Sequence, residues 1–130
     1  MRKLRIIQHA TLDGVIQAPG SLEEDSDGGF RHGGWIAPHG DPLVKETILE
    51  AHGAAFDLIL GRRTYDIWSG YWPKAESSPI ADGLNAARKY VATSRPESLA
   101  WGPVEALGRD LVEAVRGIKA AEGPDLILWG

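Results

Sequence analysis

The apolar run Leu58-Ile59-Leu60 passes into Gly61 and then directly into Arg62-Arg63-Thr64-Tyr65, a strand delivered to a helix start through a single glycine. This junction constrains the fold more than any other feature. A buried strand that turns straight into a helix belongs to a crossover unit, and strands joined by crossover helices lie parallel in a sheet covered on both faces. The same junction reads as an anion site. Glycine lets backbone approach a ligand, the first helical N–H groups lack intrahelical acceptors, the helix dipole adds positive potential, and two guanidiniums offer bidentate geometry. A phosphorylated cofactor is the natural occupant.

The pattern on either side repeats the alternation. Leu4 to His9 reads as a strand, followed by a turn at Leu12-Asp13-Gly14-Val15 and a long loop from Ala18 to Gly40 rich in Gly, Asp, Pro and Ser. A loop of that length predicts a mobile lid. Asp41-Pro42 opens a helix whose apolar stripe is Leu43, Val44, Ile48, Ala51 and Ala55. Phe56 to Leu60 is a buried strand, Arg62 to about Ser69 a short helix ended by Gly70-Tyr71-Trp72-Pro73, and Ser78-Pro79 the start of another. Arg88 to Thr93 is the next strand, with a turn at Ser94-Arg95-Pro96 and a short strand at Leu99 to Trp101. Arg109 to Ala121 forms a helix with Leu111, Val112, Val115 and Ile118 on one face, and Asp125 to Gly130 a final buried strand. Ligands of such sheets bind at the carboxyl ends of the strands, where Gly61, Ser94 and Gly130 are expected.

Composition narrows the function classes. With 43% apolar and 25% charged residues over 130 positions the chain is expected to fold as one globular domain, 1–130. A net charge of -4 argues against a nucleic-acid partner. There is no cysteine, hence no disulfide, thiolate metal site or cysteine nucleophile. His9, His32, His39 and His52 share no metal-ligand spacing, so no metal is expected. No G-x-S-x-G elbow occurs, and Gly28-Gly29-Phe30-Arg31-His32-Gly33-Gly34 fits neither a dinucleotide nor a Walker loop. No membrane-span-length segment or signal peptide is evident, and a cytoplasmic address is expected.

Two further groups bear on the site. Thr93-Ser94-Arg95, two hydroxyls and a guanidinium after a strand, combine with Arg62 into a second anion site suited to a phosphate on a ribose. Trp35 in the glycine-rich loop, and Trp68, Tyr71 and Trp72 at the end of the junction helix, either sandwich a flat heterocycle or cap the core from outside. Trp101 and Trp129 are expected in the core.

Leu12-Asp13-Gly14, Leu60-Gly61-Arg62-Arg63-Thr64-Tyr65, Val91-Ala92-Thr93-Ser94-Arg95 and Leu126-Ile127-Leu128-Trp129-Gly130 follow the first, second, third and last strands in an order that resembles the dihydrofolate reductase-like superfamily. The closest resemblance is to the bacterial branch grouped with the reductase domain of riboflavin biosynthesis. It implies a three-layer α/β/α fold with a mostly parallel central sheet that binds NADPH. By the same resemblance Arg62, Ser94 and Arg95 hold the ribose 2′-phosphate, Arg63 and Thr64 the pyrophosphate, and Gly130 begins a glycine turn that also cradles it. His9, Ala10, Asp13, Gly14 and Ile16 flank the nicotinamide, with the Trp35 loop closing over it.

Two departures accompany the resemblance. The pterin-binding carboxylate of dihydrofolate reductases falls on Lys45, with Glu46 and Glu50 beside it, and Glu46 becomes the candidate proton donor alongside a loop-admitted water. Members of the family also continue past the final glycine through another helix and antiparallel strands, so the last strand is expected to need a neighbour from beyond Gly130. The expected activity is NADPH-dependent reduction of a small flat heterocycle, pterin- or ribosylaminopyrimidine-like, contacted by Trp35, Trp68 and Trp72, in a homodimer. A non-catalytic nucleotide-binding or regulatory module on the same fold is the alternative, and a phosphosugar- or nucleotide-modifying enzyme a third reading.

Overall fold

Every strand of the central sheet runs in the same direction, because each connection is long enough to return the chain to its starting side. The computed structural model describes residues 1–130. Its strands are β1 (Leu4–Ile7), β2 (Phe56–Gly61), β3 (Lys89–Ala92), β4 (Val104–Leu107) and β5 (Asp125–Trp129), and its helices α1 (Pro42–His52), α2 (Arg62–Tyr71), α3 (Pro79–Ala86) and α4 (Leu111–Ala120). The order across the sheet is β1-β5-β2-β3-β4, parallel throughout. Two compact units make up the chain: Met1–Ile7 with Leu49–Gly130, which holds the whole sheet, and Gln8–Ile48.

Strand alternation divides the core of the first unit between two layers. Ile59, Tyr90, Leu107 and Leu126, with Leu4, Ala92 and Leu128, face one way and pack on Ala114, Val115 and Ile118 of α4. The intervening residues, Phe56, Leu58, Leu60, Val91, Ile127 and Trp129, face the other way. There Trp129 meets His52 and Trp68, Phe56 meets His52 and Gly83, and Tyr65, Ala81 and Leu84 are buried. The result is the α/β fold with helices on both sides of a parallel sheet that the alternation predicts.

Local chemistry accounts for the helix starts. Asp41, Ser78 and Asp110 each accept a backbone N–H of the first turn, from Leu43 at 2.7 Å, Ala81 at 3.1 Å and Glu113 at 3.0 Å, and proline occupies the first position of α1 and α3. Helix α2 differs, since Gly61 at its N-cap has no side chain to offer.

Several expectations need correction. Leu99 to Trp101 is not a strand: the N–H groups of Ala100 and Trp101 both donate to the Tyr65 hydroxyl, at 3.0 and 2.8 Å, and Trp101 is buried as a plug. The fourth strand is Val104–Leu107, whose entry is set by the Lys89 N–H donating to the Pro103 carbonyl. Helix α1 stops at His52 because Gly53 takes φ +72°, so Ala55 lies outside it, and its stripe residues Leu43 and Val44 are exposed. Leu111 and Val112 are likewise exposed, and α4 packs partly buried Ala114, Val115 and Ile118 against the sheet. β5 is interior as expected, but its neighbours are β1 and β2 of this same chain, so it presents no unpaired edge.

Within the second unit the Ala18 to Gly40 segment is cross-linked to itself. Gly34 and Ile36 N–H groups donate to the Ala18 and Pro19 carbonyls, Trp35 Nε1 donates to the Gln17 carbonyl at 2.8 Å, and a Cβ on Gly33 would lie 2.6 Å from the backbone of Ser21 and Leu22. Two short 3-10 turns, at Asp27–Gly29 and Ala37–His39, interrupt it. No helix of the chain is long and apolar enough to cross a membrane.

Candidate anion site at the carboxyl edge of the sheet

The sheet register fixes which residues meet at the carboxyl edge. Leu60 pairs with Trp129 and Gly61 with Ala92, so Gly61 sits between Gly130 on one side and the end of β3 on the other. One residue further on, Arg62 faces Thr93 across the same gap. Its Nη1 donates to Thr93 Oγ1 at 3.1 Å, to the Arg95 carbonyl at 3.3 Å and to Ser98 Oγ at 2.6 Å. Its Nε donates to both carboxylate oxygens of Asp66, at 2.9 and 3.0 Å, one helical turn along α2. Only Nη2 has no hydrogen bond within the chain. Bonding to Asp66 raises the Arg62 pKa, against the opposing pull of burial, and the guanidinium stays charged.

The partners of Arg62 are themselves held. Thr93 Oγ1 also accepts the Arg95 N–H at 3.0 Å, and Ser98 Oγ donates to the Arg95 carbonyl at 2.7 Å. Behind them, Tyr65 pins Ala100 and Trp101 as described, while Asn85 accepts Trp101 Nε1 at 2.9 Å and donates to the Trp72 carbonyl at 2.9 Å. Fully buried Lys89 completes the anchorage: Nζ donates to the carbonyls of Asn85 at 2.8 Å and Gly102 at 3.3 Å and lies 4.2 Å from the Trp101 ring centroid. No carboxylate accompanies it, and burial pushes its pKa down to about 8.

The edge is open beside this scaffold. A Cβ on Gly61 would meet no atom within 4 Å, and one on Gly130 only Thr64 Oγ1 at 3.6 Å. Gly61 has φ -68° and ψ 158°, angles any residue adopts, so its backbone does not call for glycine. Ser94 and Arg95 are exposed next to Arg62, and Arg63 is exposed on the first turn of α2.

The structure therefore brings Gly61, Arg62, Arg63, Thr64, Thr93, Ser94, Arg95 and Gly130 to one edge of the first unit. It changes the part Thr93 plays, because its hydroxyl holds Arg62 and the Arg95 N–H in place of facing outward. His9, Ala10, Asp13, Gly14, Ile16, Trp35 and Glu46 belong to the second unit. There Thr11 Oγ1 donates to Asp13 Oδ1 at 2.6 Å, holding that carboxyl below its usual range, and Gly14 takes φ +89° in the turn. Burial lowers the His9 pKa, with Glu24 pulling the other way.

Trp68 and Trp72 are partners of each other and of the core: Trp68 lies edge-on to Trp72 at 5.9 Å and tilted to Trp129 at 5.6 Å, and Trp72 lies edge-on to Tyr71 at 5.0 Å. Asp66 and Ser98 are the residues that sequence reasoning missed. For Asp66 the signal was present, a carboxylate four residues beyond an arginine on a helix. For Ser98 none existed, since its meeting with Arg62 depends on how the 96–98 turn folds back.

No protein-family model matches the chain, and a search of curated proteins finds no match.

Proposed function

We propose that the carboxyl edge of the sheet binds the phosphates of NADPH and that the protein is an NADPH-dependent reductase of a small flat heterocycle. The observation that carries this reading is the fixed Arg62 guanidinium, with Nη2 uncommitted, beside a helix start whose N-cap glycine leaves open space. Neither backbone angle nor packing requires glycine at 61, and close approach of a ligand to the α2 N-terminus is a sufficient reason for it.

In this reading the first-turn N–H groups of α2 with Arg63 and Thr64 take the pyrophosphate, and Arg62, Ser94 and Arg95 the 2′-phosphate. The nicotinamide supplies the hydride, while the protein orients it and provides a proton. His9, Ala10, Asp13, Gly14 and Ile16 for the nicotinamide, Glu46 for the proton and a homodimeric, cytoplasmic enzyme complete the proposal.

The alternative is a nucleotide-binding or regulatory module that uses the same edge without catalysis. Titration of the intact chain with NADPH and NADH, followed by nicotinamide absorbance with pterin and aminopyrimidine substrates, separates the two. NADPH binding with turnover supports the reductase, binding without turnover on any of them the module, and no binding of either nucleotide overturns both.

A further inference from the structure

We infer that Asp66 and Ser98 are positioning residues that select for the 2′-phosphate by holding Arg62 in one orientation; this rests on the NADPH reading above. An arginine side chain has four rotatable bonds, and ordering it on binding costs conformational entropy if nothing orders it beforehand. Here the ordering is already complete. Asp66 engages Nε with both oxygens, and Ser98 and Thr93 receive Nη1 from the opposite element, so the planar group is gripped along two edges from α2 and from the 93–98 segment.

What remains is Nη2, a single uncommitted nitrogen, together with the Arg95 guanidinium, which has no hydrogen bond or ion pair within the chain. Arg62 is only about one-fifth exposed, while Asp66 is about half exposed, so the carboxylate is screened by water more than the cation it steers. Asp66 therefore orients the guanidinium at a modest cost in local potential. Preorganisation of this kind raises affinity by removing the ordering cost. It acts only on the group Arg62 touches, so it distinguishes a nucleotide carrying the 2′-phosphate from one lacking it.

Calorimetric titration of the intact protein with NADPH and with NADH tests the inference in Asp66→Asn, Asp66→Glu, Ser98→Ala and Arg62→Ala, each with its thermal midpoint. Asp66→Asn is expected to weaken NADPH about tenfold and leave NADH unchanged, Asp66→Glu to recover part of the loss, and Ser98→Ala to cost NADPH a few-fold. NADPH binding by Asp66→Asn as tight as or tighter than wild type, while Arg62→Ala still loses its preference for NADPH, overturns positioning and leaves the NADPH reading intact. Equal loss of both nucleotides in Arg62→Ala, or no loss of either, overturns the NADPH reading and this inference with it. Ser98 is exposed, so its variant keeps the test decisive should Asp66→Asn unfold.

Discussion

Lys89 Nζ lies 4.2 Å from the centroid of the Trp101 ring, and the ammonium so placed ties the end of α3 to the loop that carries the partners of Arg62. Its three N–H groups have two carbonyls and an indole face as acceptors, a set that satisfies a cation without neutralising it. Burial still dominates, and the pKa falls from the ordinary 10.5 to about 8.

The sign of the pH dependence follows. Between about 8 and 10.5 the unfolded chain binds a proton at Lys89 that the folded chain has released, so this residue makes stability rise with pH across that window. The full change is roughly 3 kcal/mol. Chemical unfolding of wild type and Lys89→Met at pH 7.5 and pH 10 checks it: the wild type should gain relative to the variant at the higher pH. A constant difference between them would show that Lys89 does not titrate in this window.

Trp129 Nε1 donates to His52 Nε2 at 3.0 Å in the layer under α1, and the two rings are stacked. Replacing His52 by alanine removes the acceptor and the ring that fills the space between Phe56 and Trp129. A loss of about 2–4 kcal/mol in unfolding free energy is expected, with Trp129 emission shifted to the red. His52→Gln, which restores an acceptor, should lose less than the alanine variant.

Arg2 and Asp57 form an ion pair that is nearly buried on both sides. Asp57→Ala leaves the arginine charged without its carboxylate and is expected to cost about 3–5 kcal/mol by denaturant unfolding. The double replacement Arg2→Met with Asp57→Leu should recover most of that, because no lone charge is left behind. A double variant as unstable as the single one would contradict this assignment of the cost.

Gly61 separates fold from binding. With an ordinary backbone and open space at its Cβ, Gly61→Ala should change stability by about 1 kcal/mol or less. Under the proposed function, Gly61→Val should nevertheless weaken NADPH at least tenfold, because the side chain occupies the approach to the α2 N-terminus. Full NADPH affinity in a folded Gly61→Val protein would remove that glycine from the site.

Asp41 and Ser78 mark their helices unaided, because a cap is a contact between residues two or three apart and is written in the local sequence. The strand-glycine-helix junction at Leu58 to Tyr65 was legible for the same reason, and with it the parallel sheet and the gathering of Gly61, Ser94 and Gly130 at one edge. The strand at Val104–Leu107 was not legible, since Leu99-Ala100-Trp101 is as apolar and only the Tyr65 hydroxyl, thirty-five positions away in sequence, decides that those N–H groups leave the ladder. Likewise Leu111 and Val112 share the periodicity of Val115 and Ile118, but only Ala114, Val115 and Ile118 of the ten-residue helix pack against the sheet, and Leu111 and Val112 stay exposed. The identity of the candidate residues at this edge thus came from sequence, through residue type and spacing. The commitment of Arg62 to Asp66, Thr93 and Ser98 came from the tertiary structure alone, because hydrogen bonds across thirty residues depend on the register of β2 against β3 and on the path of the turn that follows.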